Sequence, residues 1–142
     1  MLASLALLAM VPVDPLDRAE IGDLYDAIWG DLESNARIDN HNRLARLWYN
    51  AGAEHPETPD LHIRDLSCRA RSRGLHCTFI LFRDGGIGVA YGEPAPDRLS
   101  CHADFDRQID VEGHRFTVRH LLPGAEGGHS RTTMECRRAA AG

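Results

Sequence analysis

Four cysteines, Cys68, Cys77, Cys101 and Cys136, fall at strand-like positions in the second half of this 142-residue chain, and they constrain its fold more than any other feature. None stands in a C-x-x-C redox pair or in the spacing of a zinc knuckle. An even number of cysteines in a small chain reads as a disulfide framework formed in an oxidising compartment. Four cysteines allow three connectivities. Cys68 and Cys77 flank a turn at Ser72-Arg73-Gly74, where opposed strand positions lie about 4.5–5.5 Å apart, within reach of a disulfide. That pairing leaves Cys101 for Cys136, and the pattern alone leaves the other two connectivities open.

The N-terminal stretch Met1 to Val13 reads MLASLALLAMVPV, apolar with Ser4 as its polar interruption. It has the length of a signal-peptide core and is too short to span a bilayer, although no basic residue precedes it. The expectation is a leader over 1–13, followed by one disulfide-stapled domain over 14–142, periplasmic or secreted, with no transmembrane span.

Beyond the leader the hydrophobic period is first helical and then strand-like. Asp14-Pro15 offers an N-cap and a first-turn proline. Ile21, Leu24, Tyr25, Ile28 and Leu32 then form one apolar stripe, and Glu20, Asp23, Asp26 and Glu33 occupy the rest of that helix. A second helix is expected over about Asn40 to Asn50, with Leu44, Leu47, Trp48 and Ala51 on one face and Gly52 as its cap. The connector His55-Pro56-Glu57-Thr58-Pro59 ends helical structure. Strands are expected at Leu61 to Arg69, Leu75 to Arg83, Arg98 to Ile109, His114 to Leu122 and near Thr132 to Arg137.

The third strand alternates most cleanly. Leu99, Cys101, Ala103, Phe105 and Ile109 share one face, while Ser100, His102, Asp104, Asp106 and Gln108 share the other. A turn centred on Glu112-Gly113 sets Ile109 opposite Phe116, Asp110 opposite Arg115 and Asp106 opposite Arg119, and a slip of two residues preserves these faces. The fold class is therefore α+β: two N-terminal helices packed on one face of an antiparallel meander of about four or five strands, with two disulfides. In outline this resembles the cystatin-like and NTF2-like architectures over roughly residues 14–122. The resemblance is one of topology; no motif carries it, and it transfers no activity and no residues.

Several chemistries are disfavoured. The formal net charge is −5, all sixteen basic residues are arginine, and an acidic run from Asp14 to Glu33 holds Arg18 as its one basic residue. Arg64, Arg69, Arg71 and Arg73 near one hairpin tip can dock an anionic group. They fall short of a stripe tracking a phosphate backbone, so no nucleic-acid partner is expected. His76-Cys77 and Cys101-His102 are adjacent and point to opposite faces, and His102 with Asp104 lacks a third ligand, so no metal or other cofactor is expected. Ser100, His102 and Asp104 are the residue types of a nucleophilic triad, but their Cα atoms lie nearly 7 Å apart along one strand. Phosphate-binding, nucleophile-elbow and zinc-protease motifs do not occur.

Three functional classes follow. The first is an exported binding or inhibitory module meeting a protein or small-molecule ligand through a face that includes His102, Asp104, Arg115 and Arg119. The second is a small enzyme with a pocket between helix and sheet, where His120 points inward and acts as acid or base. The third is a structural envelope component. With no catalytic constellation in view, the balance favours a binder over a catalyst. A carboxylate beside a buried His120 would favour the enzyme.

Overall fold

A computed structural model describes residues 16–35, 42–54, 61–84, 88–108, 113, 115–121 and 131–139. The expected leader, the Asp14-Pro15 pair, the proline connector, Ile109, Asp110 and the glycine-rich stretch 124–128 lie outside these residues. The elements are helices α1 (Arg18–Asn35) and α2 (Arg43–Glu54) and strands β1 (Leu61–Arg71), β2 (Gly74–Arg83), β3 (Gly88–Ala90), β4 (Glu93–Ala95), β5 (Arg98–Arg107), β6 (Phe116–Val118), β7 (His120–Leu121), β8 (Arg131–Thr132) and β9 (Glu135–Arg138). Both helices pack on an antiparallel five-stranded sheet, as the sequence predicted. Neither described helix is long and apolar enough to cross a membrane.

Helix α1 starts at Asp17 rather than at Asp14. The Asp17 carboxylate accepts the Glu20 N–H at 2.7 Å and its carbonyl accepts the Ile21 N–H at 3.0 Å. Asp17 places Glu20 in the first turn, where negative charge complements the helix dipole. Helix α2 begins where the Asn42 carbonyl accepts the Arg46 N–H at 3.0 Å, and the buried Asn42 side chain donates to the Met134 carbonyl at 3.1 Å. The helix runs through Gly52 to Glu54, so glycine does not cap it.

Strand order is β1-β2-β5-β6, with β9 also paired to β5. The β1–β2 register sets Cys68 directly opposite Cys77, and β5–β9 sets Cys101 opposite Cys136. Both pairs are disulfide-bonded, with Cα atoms 4.0 and 4.1 Å apart. A bulge interrupts the edge strand β1 between Arg64 and Ser67, with Asp65 at φ 55°. Such a kink, together with charged side chains, blunts an open edge against pairing with other chains.

The other edge is a strand in two pieces. Strands β6 and β9 run in the same direction along β5, β6 facing Phe105 to Arg107 and β9 facing Leu99 to His102. Between them the chain leaves as the β7–β8 hairpin and returns. Thr133 closes the junction: its N–H donates to the Arg119 carbonyl at 2.9 Å, while its hydroxyl donates to the same carbonyl at 2.7 Å and accepts the Asp104 N–H at 3.2 Å. The expected continuous fourth strand is therefore shorter and interrupted.

Its register also differs from expectation by two residues. Asp106 lies opposite Thr117 and Arg107 opposite Phe116, which preserves the faces. The anticipated Asp106–Arg119 ion pair survives along the diagonal, at 2.6 Å. Phe116 meets the Arg107 guanidinium, 4.8 Å from its ring centre, in place of Ile109.

The core fills the space between helices and sheet. Leu24, Ile28 and Leu32 of α1 and Trp48 of α2 meet Cys77, Phe79, Leu81, Leu99, Phe105, Phe116 and Met134, each no more than 2% exposed. A second cluster joins Leu47 and Ala51 to Ala90 and Ala95 of the small β3–β4 hairpin. That hairpin was not foreseen. Its tip, Tyr91-Gly92, has φ of 52° and 76°, the left-handed pair that a two-residue hairpin turn requires, and Tyr-Gly is a weak signal for it.

Gly74 opens β2 where no side chain fits. A Cβ there would lie 1.9 Å from the Phe105 carbonyl oxygen, a backbone atom of the neighbouring strand. Gly74→Ala must part β2 from β5, and a loss of about 2–3 kcal/mol is expected. Urea unfolding of the variant checks this, with Gly22→Ala, which meets nothing within 4 Å, as the control.

Candidate functional site

Two polar clusters stand outside the core. The first covers the outer face of the sheet, the side away from the helices. On β2 and β5 the even-numbered residues point there, and register places Thr78 opposite His102, His76 opposite Asp104, and Ile80 opposite Ser100. Strand β9 extends two of these rows, with Glu135 opposite His102 and Arg137 opposite Ser100. A groove of about 320 Å³ lies here, lined by Thr78, Ser100, His102, Glu135 and Arg137, with Cys101 and Cys136 contributing.

Asp104 anchors the middle of this face. His76 Nδ1 lies 2.7 Å from its Oδ1, and the Arg71 guanidinium lies 3.5 Å from the same oxygen. Partial burial pushes the Asp104 carboxyl up, but the His76 hydrogen bond and the nearby charges of Arg71, His76 and Arg119 outweigh it and hold the group below the usual carboxylate range. The His76 and His102 rings lie 5.5 Å apart, and His102 Nε2 is 3.6 Å from Glu135. Arg119 donates through Nε and Nη2 to Asp106, at 2.8 and 2.6 Å, which raises its own proton affinity.

A pH dependence follows with a definite sign. A carboxyl whose folded pKa is depressed stabilises the fold fully above its unfolded value of about 3.9 and loses that contribution as pH falls through the lower folded value. Asp104→Asn is expected to lower stability at neutral pH and to flatten the stability-against-pH curve below about pH 4. Urea midpoints of both proteins across the acid range test this, and parallel curves would contradict it.

The second cluster sits at the rim, where the β7–β8 hairpin meets α1. Asp31 belongs to the acidic helix, yet its side chain is only 3% exposed. Thr132 Oγ1 donates to Asp31 Oδ2 at 2.6 Å, and His120 Nε2 lies 2.6 Å from Asp31 Oδ1. The Thr132 hydroxyl also accepts the Met134 N–H at 3.1 Å. A buried carboxylate holding an imidazole by one nitrogen orients that ring, which is half of an acid–base device.

His102, Asp104 and Arg119 share the outer face as expected, with Asp106 as the Arg119 partner. Arg115 stands apart from them: its Nε donates to Asp23 of α1 at 2.8 Å, which raises its proton affinity. His120 was expected to point into a pocket between helix and sheet. Its side chain is instead 32% exposed at the rim, on the carboxylate of Asp31, which the helix pattern had placed on neither face. His76 was weighed from sequence as a metal ligand beside Cys77 and not as part of this face, and Asp31, Thr132 and Arg137 were not singled out. The register of β2 on β5 was the signal for His76, and Asp31 carried one in its place three residues after Ile28, beside the apolar stripe.

No group of three or more histidines, cysteines, aspartates or glutamates among the described residues is arranged to hold a metal ion. Compared with known protein families, with curated proteins and with solved structures, the chain gives no match.

Proposed function

We propose that this protein is an exported binding module, periplasmic or secreted, that meets its partner through the outer face of its sheet. The observation that carries the reading is the placement of the groove. The space between helices and sheet is occupied by fully buried side chains, whereas the groove of about 320 Å³ lies on the opposite face, among histidine, arginine, carboxylate and hydroxyl groups. A few convergent polar groups in a concavity fix a ligand's orientation and supply specificity. Two disulfides support an oxidising compartment, and the apolar stretch 1–13 supports export.

The test is a photo-crosslinking amino acid at Ser100, compared with one at Asp26 on the exposed side of α1. In the native cell the Ser100 position should yield a discrete adduct that the Asp26 position lacks. Identical adduct patterns, or none at Ser100, would refute the reading. Alkylation of the native protein followed by intact-mass measurement tests export: four reactive thiols on a full-length chain would remove it.

A second reading has its own support. Asp31 supplies the buried carboxylate that acid–base chemistry needs beside His120, while the imidazole itself stands at the rim and not in a cleft. In that reading His120 is the acid or base and Asp31 its positioning residue. A hydrolase substrate panel decides: activity abolished by His120→Ala and reduced by Asp31→Asn would establish an enzyme, and no turnover in the wild type would dismiss it.

A further inference from the structure

One end of the outer face holds arginines that no carboxylate among the described residues neutralises. Arg64 of β1 lies over the Phe82 ring, 4.4 Å from its centre, and Arg98 of β5 lies 5.4 Å from the centre of the same ring. Register adds a third. Arg64 faces Ile80, Ile80 faces Ser100, and Ser100 faces Arg137, so the four residues form one row across β1, β2, β5 and β9. At about 4.8 Å between strands, Arg64 and Arg137 stand roughly 14 Å apart at Cα, with Arg98 between them one row along.

Four arginines on or beside the sheet are matched, whereas among the described residues Arg69 of β1 and Arg138 of β9 are not. Arg71 reaches Asp104, Arg119 reaches Asp106, Arg107 reaches Glu20 and Arg115 reaches Asp23. Among the described residues, Arg64, Arg98 and Arg137 have no such carboxylate. While the nearby carboxylate of Asp84 is taken by His62 at 2.9 Å, this end of the face carries three arginines, two of them sharing one aromatic ring. Their mutual repulsion is unfavourable in the free protein and is relieved by an anion of several charges.

We infer that this end of the face binds a small ligand carrying two or three phosphoryl groups. The inference rests on the outer face being the binding surface and names the chemistry it takes. Planar guanidinium forks match phosphoryl oxygens bidentately. Two sets of cations about 14 Å apart at Cα call for at least two anionic groups on one molecule, and the Ser100 hydroxyl between them supplies a further donor. The adjoining groove accommodates the ligand body. A long polyanion fits worse, because the following rows present Glu135, Asp104 and Asp106.

The test is calorimetric titration of the disulfide-intact protein with inorganic tripolyphosphate at low and physiological salt. Saturable binding with one site per chain is expected, weakened about tenfold or more in the triple variant R64Q/R98Q/R137Q and partly weakened in R137Q alone. R43Q and R73Q, which lie off this row, should leave it unchanged. Unfolding midpoints confirm that each variant is folded. No saturable binding, equal binding by the triple variant, or equally tight binding of citrate would overturn the phosphoryl assignment. Co-sedimentation with anionic phospholipid vesicles, without tripolyphosphate binding, would overturn a soluble ligand in favour of a lipid surface. If tripolyphosphate fails while Ser100 still crosslinks, the binding face stands and only its chemistry is wrong. If tripolyphosphate binds but Ser100 yields no adduct, the partner-binding reading falls instead.

Discussion

Reduced to four thiols, the protein is expected to lose most of its stability at neutral pH. The two bridges close sequence separations of 9 and 35 residues. In the chain-entropy description they contribute roughly 2.7 and 3.8 kcal/mol respectively, by restricting the unfolded chain. Their sum is comparable with the whole margin of about 5–15 kcal/mol typical of a domain. Replacing Cys101 and Cys136 together by alanine should therefore cost more than replacing Cys68 and Cys77. Alanine is the better probe, because Cys77 and Cys101 are buried and a serine hydroxyl there would add a desolvation cost. Urea unfolding with and without reductant measures the effect. A reduced protein within about 1 kcal/mol of the oxidised one would show that packing alone holds the sheet.

Trp48→Ala is expected to cost about 3–5 kcal/mol and to loosen α2 from the sheet. Trp48 is fully buried and stacks on Trp29 with ring centres 5.9 Å apart. It is the largest side chain between the two helices and the sheet, so its loss leaves a void that Phe79 and Phe105, pinned on their strands, cannot fill. Its indole N–H is buried without an acceptor among the described residues, so truncation orphans no partner and removes an unpaired donor, which places the loss toward the lower end of that range. Trp29→Ala, on a half-buried residue, should cost less. Circular dichroism and urea titration of both variants check the order. The stacking share is read from the double variant, whose loss should be smaller than the sum of the singles.

The parts legible in the sequence were those governed by period and local geometry. Alternation from Leu99 to Phe105 marked β5 and its faces, and two cysteines flanking a tight turn marked the first bridge. The parts that were not legible depend on choices between near-equivalent options. Asp14 and Asp17 are equally good caps by type, and Asp17 has the acidic Glu20 in its first turn. A two-residue slip of β6 keeps every face, so alternation could not select between registers, and pairing of Phe116 with Arg107 instead of Ile109 emerged only in three dimensions. The β3–β4 hairpin lay hidden because Tyr91-Gly92 lacks the asparagine or aspartate that usually marks such turns.

The candidate site shows the same division. His102, Asp104 and Arg119 were placed on one face by parity along their strands. Parity says nothing about which residue of a distant element arrives opposite, so His76 on Asp104 and His120 on Asp31 were invisible. Asp31 is the sharper case: in an acidic helix a solvated carboxylate is the ordinary expectation, and the returning strands, with Thr132 and His120, help to make its burial tolerable.

The divided edge strand gives the molecule a natural graft point. Arg119 and Thr133 are already hydrogen-bonded neighbours, so whatever connects them is an appendage whose two ends meet on the scaffold. Pruning it altogether is another matter, because the shut-in carboxylate of Asp31 would lose both Thr132 and His120, and a shortened chain would need an apolar residue at that position to remain folded.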